Sequence, residues 1–418
     1  MSNSKSCIPI CQQILIERTI LLSILRRSRR NSSGTVILSG SATGSTSIIV
    51  LALSSIRVYH IFICSPCDEL LHEQESHKED AIKTYKVAVV GAMGAVGHEM
   101  IKTLEQRKFP VGTLVPLDVA AMAGKTVRYN GADVIVQEAK KGAFVGVDVA
   151  IFSAGADASL VLAPVAVAEG AIVVDNSSAW RMDPKVPLVI PEVNPQALDA
   201  HNGIIANPNC STIQMLVALK PIHDAFKIKR VVVSTYQAVS GTGGKAITEL
   251  TEQAKAFASG KPIVANVYPR QILFNALPQI DVFLDNGYTK EEMKMVNETK
   301  KILDPAIEVS PTAVRVAVYR GHSEAINVQT EKPFSIPDVR ALLAKAPGIK
   351  VMDDPSKLVY PTALDAEGKD ETFIGRLRAD PTIPNGLNMW VVSDNLRKGA
   401  ALNAVQIAET LIERKLLK

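Results

Sequence analysis

Past residue 67 the sequence has one cysteine, Cys210; the other four, Cys7, Cys11, Cys64 and Cys67, sit near the start of its 418 residues. A lone thiol forms no intrachain disulfide, so a disulfide-stapled fold is excluded and a reducing compartment, the cytoplasm, is expected. Cys64-Ser-Pro-Cys67 has neither a second pair nor a βαβ pattern around it, and no metal site is expected. An excess of one charge is missing as well. The formal net charge is +4, but residues 1–67 set seven basic residues against Glu17, a balance of +6. The remainder holds 39 basic and 41 acidic residues, or −2, and offers no basic field to nucleic acid. Long apolar runs are also lacking. Ile48 to Ile56 is too short for a bilayer and is followed by Arg57 and His60, so no membrane contact is expected of the folded part. No internal repeat is visible.

The first 80 residues are rich in Ser and Arg and poor in acids. They read as an upstream extension without a folded role; a plastid or other organelle transit peptide and a membrane anchor are the competing readings. The polar run His72 to Asp80 leads into the fold, so residues 1–83 are set apart as leader and linker. What remains has room for two domains.

The chain is organised around Ala206-Asn207-Pro208-Asn209-Cys210-Ser211-Thr212-Ile213. Asn-Pro and Pro-Asn signal a turn, and Ile213, Leu216, Val217, Leu219 and Ile222 have helical spacing, with an end near Pro221-His223. Cys210 therefore falls where a loop becomes the first turn of a helix. Unpaired N–H groups and the helix dipole there favour a thiolate and could stabilise an oxyanion on a carbonyl bound to the sulfur. A nucleophile and a buried structural cysteine are both compatible with this stretch.

Tyr85 to Val90 reads as a buried strand, followed by Gly91-Ala-Met-Gly94-Ala-Val-Gly97 and a helix from His98 to Arg107. Strand, glycine-rich turn and helix form the dinucleotide-binding arrangement. Asp118 ends the next apolar run about twenty residues on, where an acid meets ribose hydroxyls. Val147 to Phe152 and Ala171 to Asp175 are further apolar strands ending in small polar residues, so a ligand crevice is expected at strand C-termini, with Arg181 close enough to reach it. Arg230 to Tyr236 runs into Gln237-Ala-Val-Ser240-Gly241-Thr-Gly-Gly244; Lys290 to Lys301 is helical, with Glu298 and Lys301 on one face; Ala313 to Tyr319 is a strand carrying Arg315, followed by His322. Met389 to Asn395 reads as strand and turn, and Lys398 to Leu417 as an amphipathic helix.

GAMGAVG, DNSSAWRM, VIPEVN, NPNCST, STYQAVSGTG, NETKKIL, VRVAVYRGHSEAI and DNLRKGAALNAVQIAE occur in that order, and together they resemble bacterial-type aspartate-semialdehyde dehydrogenases over about residues 84–418. The resemblance implies an α/β fold: a Rossmann-type dinucleotide-binding domain, residues 84–209 plus 388–418, and an inserted α+β catalytic and dimerisation domain, residues 210–387, in a homodimer. It implies reversible conversion of 4-aspartyl phosphate to aspartate 4-semialdehyde and inorganic phosphate, within lysine, threonine and methionine synthesis. Cys210 would be the nucleophile and His322 the acid/base. Gln237, Glu298 and Arg315 would hold the substrate, and Arg181 and Lys301 the phosphate. Met93, Gly94, Ala95, Val96, Ala121, Met122, Ser240, Gly241 and Asn395 would contact the cofactor, NADP.

The loop after the second strand departs from the family. It reads Leu117-Asp-Val-Ala-Ala-Met-Ala-Gly-Lys125, without the usual Ser and Arg for a 2′-phosphate. Asp118 would repel that phosphate if it points at the ribose, which brings in NAD; Lys125 and Arg128 are the cations that could substitute. An N-acetyl-γ-glutamyl-phosphate reductase shares the Cys/His logic, but Glu298 and Lys301 argue for a substrate with a free ammonium. A non-catalytic paralogue is expected to have lost Cys210 or His322, and this chain keeps both.

Overall fold

The apolar run Tyr85–Val90 is buried along almost its whole length, and it becomes a central strand. The structure is a computed structural model that describes residues 83–417; the expectations for the leader fall outside that range. The first half comprises β1 (Tyr85–Val90), α1 (Ala95–Gln106), β2 (Val111–Asp118), a hairpin of β3 (Thr126–Tyr129) and β4 (Ala132–Ile135), β5 (Gln137–Glu138), β6 (Val149–Phe152), α2 (Ala156–Ala168), β7 (Ile172–Asp175) and β8 (Ile204–Ala206). Six strands form a parallel sheet in the order β5-β2-β1-β6-β7-β8. Parallel strands need cover on both faces, which explains their unbroken apolar runs. Order reversal beside β1 leaves a crevice at the strand C-termini, where the glycine-rich turn lies.

The second half supplies α3 (Cys210–Phe226), β9 (Ile228–Gln237), α4 (Gly244–Ala258), β10 (Ala276–Leu277), α5 (Lys290–Ile302), β11 (Glu308–Val316), β12 (His322–Thr330), α6 (Ile336–Leu343), β13 (Ile349–Val351), α7 (Ala363–Ala366), β14 (Thr372–Asp380), β15 (Gly386–Ser393) and α8 (Leu402–Glu413). Its seven-stranded sheet is mixed, in the order β10-β11-β9-β12-β15-β14-β13. Ile213, Leu216 and Val217 of α3 share a core with Val231 and Val233 of β9, Ile326 and Val328 of β12, and Val391 of β15. Thus α3 lies on this sheet, and its first turn sits at the strand ends that carry Gln237 and His322: Ser211 Oγ accepts from Gln237 Nε2 at 2.8 Å and Gln214 Nε2 donates to the His322 carbonyl at 3.4 Å.

Three expectations need correction. The helix from Cys210 runs through Pro221 to Phe226, because Ile222 beyond the proline is fully buried and that packing outweighs one missing N–H. Residues 388–393 belong to the second sheet, where β15 pairs with β12 and β14; the return to the first layer comes after Ser393, with Ala401, Ala404, Val405 and Leu411 in the core of β1 and α1. The last helix starts at Leu402, after a wide π turn at Arg397–Ala401 in which the Gly399 and Ala401 N–H groups bond the carbonyls of Asp394 and Leu396.

Candidate active site

The glycine-rich turn is shaped by close approach. Gly91 has φ +82°, and a Cβ there would lie 2.5 Å from the Ser153 carbonyl oxygen; one on Gly97 would lie 2.1 Å from that of Gly91. Gly94 caps α1 with no side-chain acceptor, so the first-turn amides at Ala95, Val96 and Gly97 stay available for an anion, as a pyrophosphate requires. Met93 precedes them and its N–H donates to Asp118 Oδ2 at 2.8 Å, while Val119 N–H donates to Oδ1 at 2.8 Å. The charge expected to face a ribose is therefore largely spent on backbone. Ala121 and Met122 lie in a short 3₁₀ turn, and Lys125 folds back with Nζ 3.1 Å from Met122 Sδ, placing a cation beside the loop that lacks arginine. The residues fit a dinucleotide, with or without a 2′-phosphate.

Ser240, Gly241 and Asn395 meet across the chain: Asn395 Nδ2 donates to Ser240 Oγ at 3.0 Å, and Asn395 Oδ1 accepts from Gly321 N–H at 2.9 Å, next to His322. Gly241 has no room for a side chain. A Cβ there would approach Arg315 Nη1 to 2.9 Å and His322 Nε2 to 3.2 Å. The positions expected to contact the cofactor and the acid/base candidate thus share one wall.

Half-buried Cys210 opens α3 as its spacing predicted. Its ionisation does not follow the prediction. Burial, reinforced by the Glu291 carboxylate, pushes the thiol up to about 12, against the pull of Arg315, Arg181 and the helix amides. A half-charge of helix dipole cannot outweigh desolvation beside an anion, so the resting group is a thiol. His322 is fully buried, and burial together with Arg315 depresses its ring to about 3, so it rests neutral. Nδ1 accepts the Ala238 N–H at 3.0 Å, which leaves the proton on Nε2, a buried nitrogen with no partner among the described residues. Arg315 Nη1 donates to the Ala238 carbonyl at 2.7 Å.

Gln237 Nε2 lies 2.8 Å from Ser211 Oγ and 3.1 Å from Glu291 Oε1. Glu298 is 1% exposed; it accepts from Arg181 Nη1 at 3.1 Å and from the Asn209 N–H at 2.8 Å, so it braces the turn that presents Cys210. Arg181 also donates to the carbonyls of Asn207 and Asn176, each at 3.0 Å. Lys301 gives its three N–H bonds to the carbonyls of Arg181, Asp183 and Val186 at 2.7–2.8 Å. Glu298, Arg181 and Lys301 are therefore brought together, and all three are engaged by protein.

Comparison with known proteins agrees with this geometry. Residues 86–201 match the NAD binding domain of semialdehyde dehydrogenases, and residues 219–398 match their dimerisation domain. An aspartate-semialdehyde dehydrogenase of Aquifex aeolicus is 54% identical over 338 residues, 80% of this chain and 99% of that protein. The chain belongs to the aspartate-semialdehyde dehydrogenase family. Among solved structures, aspartate semialdehyde dehydrogenase II of Vibrio cholerae, complexed with ASA, is 49% identical with a TM-score of 0.77, covering 79% of this chain and 99% of that one. The Candida albicans enzyme with NADP is 26% identical with a TM-score of 0.63, over 79% and 98% of the two chains.

For a member of this family, the residue that sequence reasoning missed is Glu291. It is 5% exposed, accepts from Asn209 Nδ2 at 2.8 Å and Lys294 Nζ at 2.9 Å, and sits close enough to shift both Cys210 and His322. Its place seven residues before Glu298, two turns along the same helix face, was the available signal. Gly399 was missed as well. A Cβ there would lie 2.8 Å from Cys210 Cβ, so the π turn sets how closely the last helix backs the sulfur.

Proposed function

We propose that this chain interconverts 4-aspartyl phosphate and aspartate 4-semialdehyde plus inorganic phosphate by way of a thioester on Cys210. The observation that carries the reading is a buried arginine, Arg315, that bears on both a cysteine at a helix start and a neutral histidine with a free Nε2–H. In the oxidative direction Arg315 receives the substrate α-carboxylate as a planar fork. That carboxylate offsets the positive charge that, after burial, depresses His322, so substrate makes the ring a better base. Taking the thiol proton at Nε2 requires the ring's own proton to sit on Nδ1, where the Ala238 amide now points; that bond is given up in the reactive state. The sulfur then attacks the aldehyde, His322 exchanges the proton of the resulting oxygen, and the α3 amides steady its charge. Bound NADP, or NAD, supplies the hydride acceptor. Phosphate displaces Cys210 from the thioester. Arg181 and Lys301 hold it on exchanging their present carbonyl partners.

Gln237 and Glu291 form the wall that faces the substrate ammonium, with Glu298 behind them. The family's dimerisation domain supports a homodimer, and Phe274, Phe283 and Leu364, at 69%, 59% and 81% exposure in the second half of the chain, are apolar surface for such an interface. A cytoplasmic location is supported by the lone free cysteine among the described residues. The deciding assay is phosphate-dependent reduction of NADP and of NAD with aspartate semialdehyde against N-acetyl-glutamate semialdehyde. Preference for the N-acetylated substrate would overturn the assignment.

A further inference from the structure

Behind His322 lies a carboxyl group that no step above uses. Glu324 is two residues along β12 from His322, so both side chains leave the same face of the sheet. That face is the one α3 covers, because Ile326 and Val328, the next residues of the same parity, share a core with Ile213, Leu216 and Val217. Glu324 is fully buried, and neither carboxyl oxygen has a hydrogen-bond partner among the described residues. The residue opposite it on β9, Thr235, already receives the Gln237 amide at 3.3 Å. On α3, one turn past Cys210, Gln214 is equally buried. Its Nε2 donates to the backbone carbonyl of His322 at 3.4 Å, a long bond, and its Oε1 has no donor. Burial holds the Glu324 proton on well above the usual carboxylate range, with Gln214 alone pulling the other way. Gln214 is thus the polar side chain that bears on Glu324, and the buried carboxyl and the buried amide oxygen each lack a partner among the described residues, in a place too dry to leave either unmade.

We propose that Glu324 is a positioning residue: its carboxylic O–H bonds Gln214 Oε1, and the chain Glu324–Gln214–His322 carbonyl locks the first turn of α3, with Cys210, to the start of β12, with His322. A group bonded along this chain holds its two neighbours at a fixed separation without touching substrate, and a misplacement of about 1 Å at a reacting pair costs on the order of a hundredfold in rate. An uncharged acid suits this task because it donates and accepts without placing an anion in a fully buried position.

The inference rests on the roles proposed for Cys210 and His322, and the test separates the two. Glu324→Leu is expected to lower kcat by about tenfold to a hundredfold with KM for the aldehyde unchanged. It is also expected to speed iodoacetamide alkylation of Cys210, since loosening the first turn of α3 lets water reach the sulfur. Glu324→Gln keeps a donor for Gln214 and is expected to restore both kcat and the alkylation rate. Should Glu324→Leu fold poorly, Gln214→Leu reads the same chain from α3 and is expected to behave alike. Unchanged kcat and alkylation in Glu324→Leu, or in a folded Gln214→Leu, would overturn the inference. So would a loss in Glu324→Gln as large as in Glu324→Leu, since that would assign the carboxyl a proton-carrying role. Absence of phosphate-dependent turnover in the wild type would instead overturn the proposed function, while the alkylation rates would still test the chain.

Discussion

The two ends of the crevice are made from different materials. At the end proposed for the cofactor, Gly94, Ala95, Val96 and Ala121 contribute backbone and little side chain, and the first-turn amides of α1 carry no side-chain cap. At the thiol end, Cys210, Gln237, Glu291, Glu298, Arg315 and His322 come from five elements, α3, β9, α5, β11 and β12, and are tied to one another or to backbone, while His322 Nε2 has no partner among the described residues. A site of backbone tolerates changes of side chain and fails when a Cβ intrudes. A site of interlocked buried side chains fails when any one partner is removed, because the others are then left unsatisfied.

This contrast can be broken from either side. The largest effect is expected at the thiol end: His322→Asn should lower kcat by about 10²–10⁴-fold while leaving cofactor affinity unchanged in a binding titration. A kcat near wild type would make the histidine structural. At the other end, Gly97→Ala places its Cβ against the Gly91 carbonyl, backbone against backbone, so the turn must open. Cofactor Kd should rise by about tenfold or more while Cys210 alkylation keeps its rate; a change in alkylation with no change in Kd would reverse the division of labour.

These ends also differed in how far they could be read. The glycine-rich turn was legible because the strand, turn and helix that form it are adjacent in sequence. The cysteine was legible for the same reason, as a turn signal followed by helical spacing. Its protonation was not, since that depends first on burial in the assembled fold and then on Glu291, 81 positions away, brought to Asn209 by α5. Likewise NETKKIL announced Glu298 and Lys301, yet their present partners, Arg181, Asn209 and three carbonyls, appear only when α5 packs against β11 and α3. The π turn at Arg397–Ala401 has no periodic signature, because one extra residue per turn leaves the apolar spacing on both sides intact.

Two smaller effects sharpen the comparison further. In the ribose loop, Ala121→Arg should raise the ratio of kcat/KM for NADP over NAD by about tenfold, the worth of one charge-assisted hydrogen bond. A wild-type ratio above about a hundredfold that Ala121→Arg leaves unchanged would show that Lys125 already fills the role. Behind the thiol, burial keeps Glu324 protonated in the fold, whereas the unfolded carboxyl releases its proton near pH 4.5. The contribution of Glu324 to the fold is therefore at full strength below that pH and falls by up to about 1.4 kcal/mol for each pH unit above it, until the folded group also ionises. Glu324→Gln has no such slope, so its Tm relative to wild type should climb between pH 5 and pH 8; a constant difference would mean that the carboxyl is already ionised in the fold.

The central claim is that turnover passes through the sulfur of Cys210. Its most direct measurement is phosphate-dependent NADP reduction with aspartate semialdehyde, followed while Cys210 is titrated with an alkylating agent and compared with Cys210→Ser at unchanged Tm. Activity should fall in proportion to the fraction of Cys210 modified, reaching background at full modification and in Cys210→Ser. Wild-type turnover after complete modification of Cys210 would contradict the account.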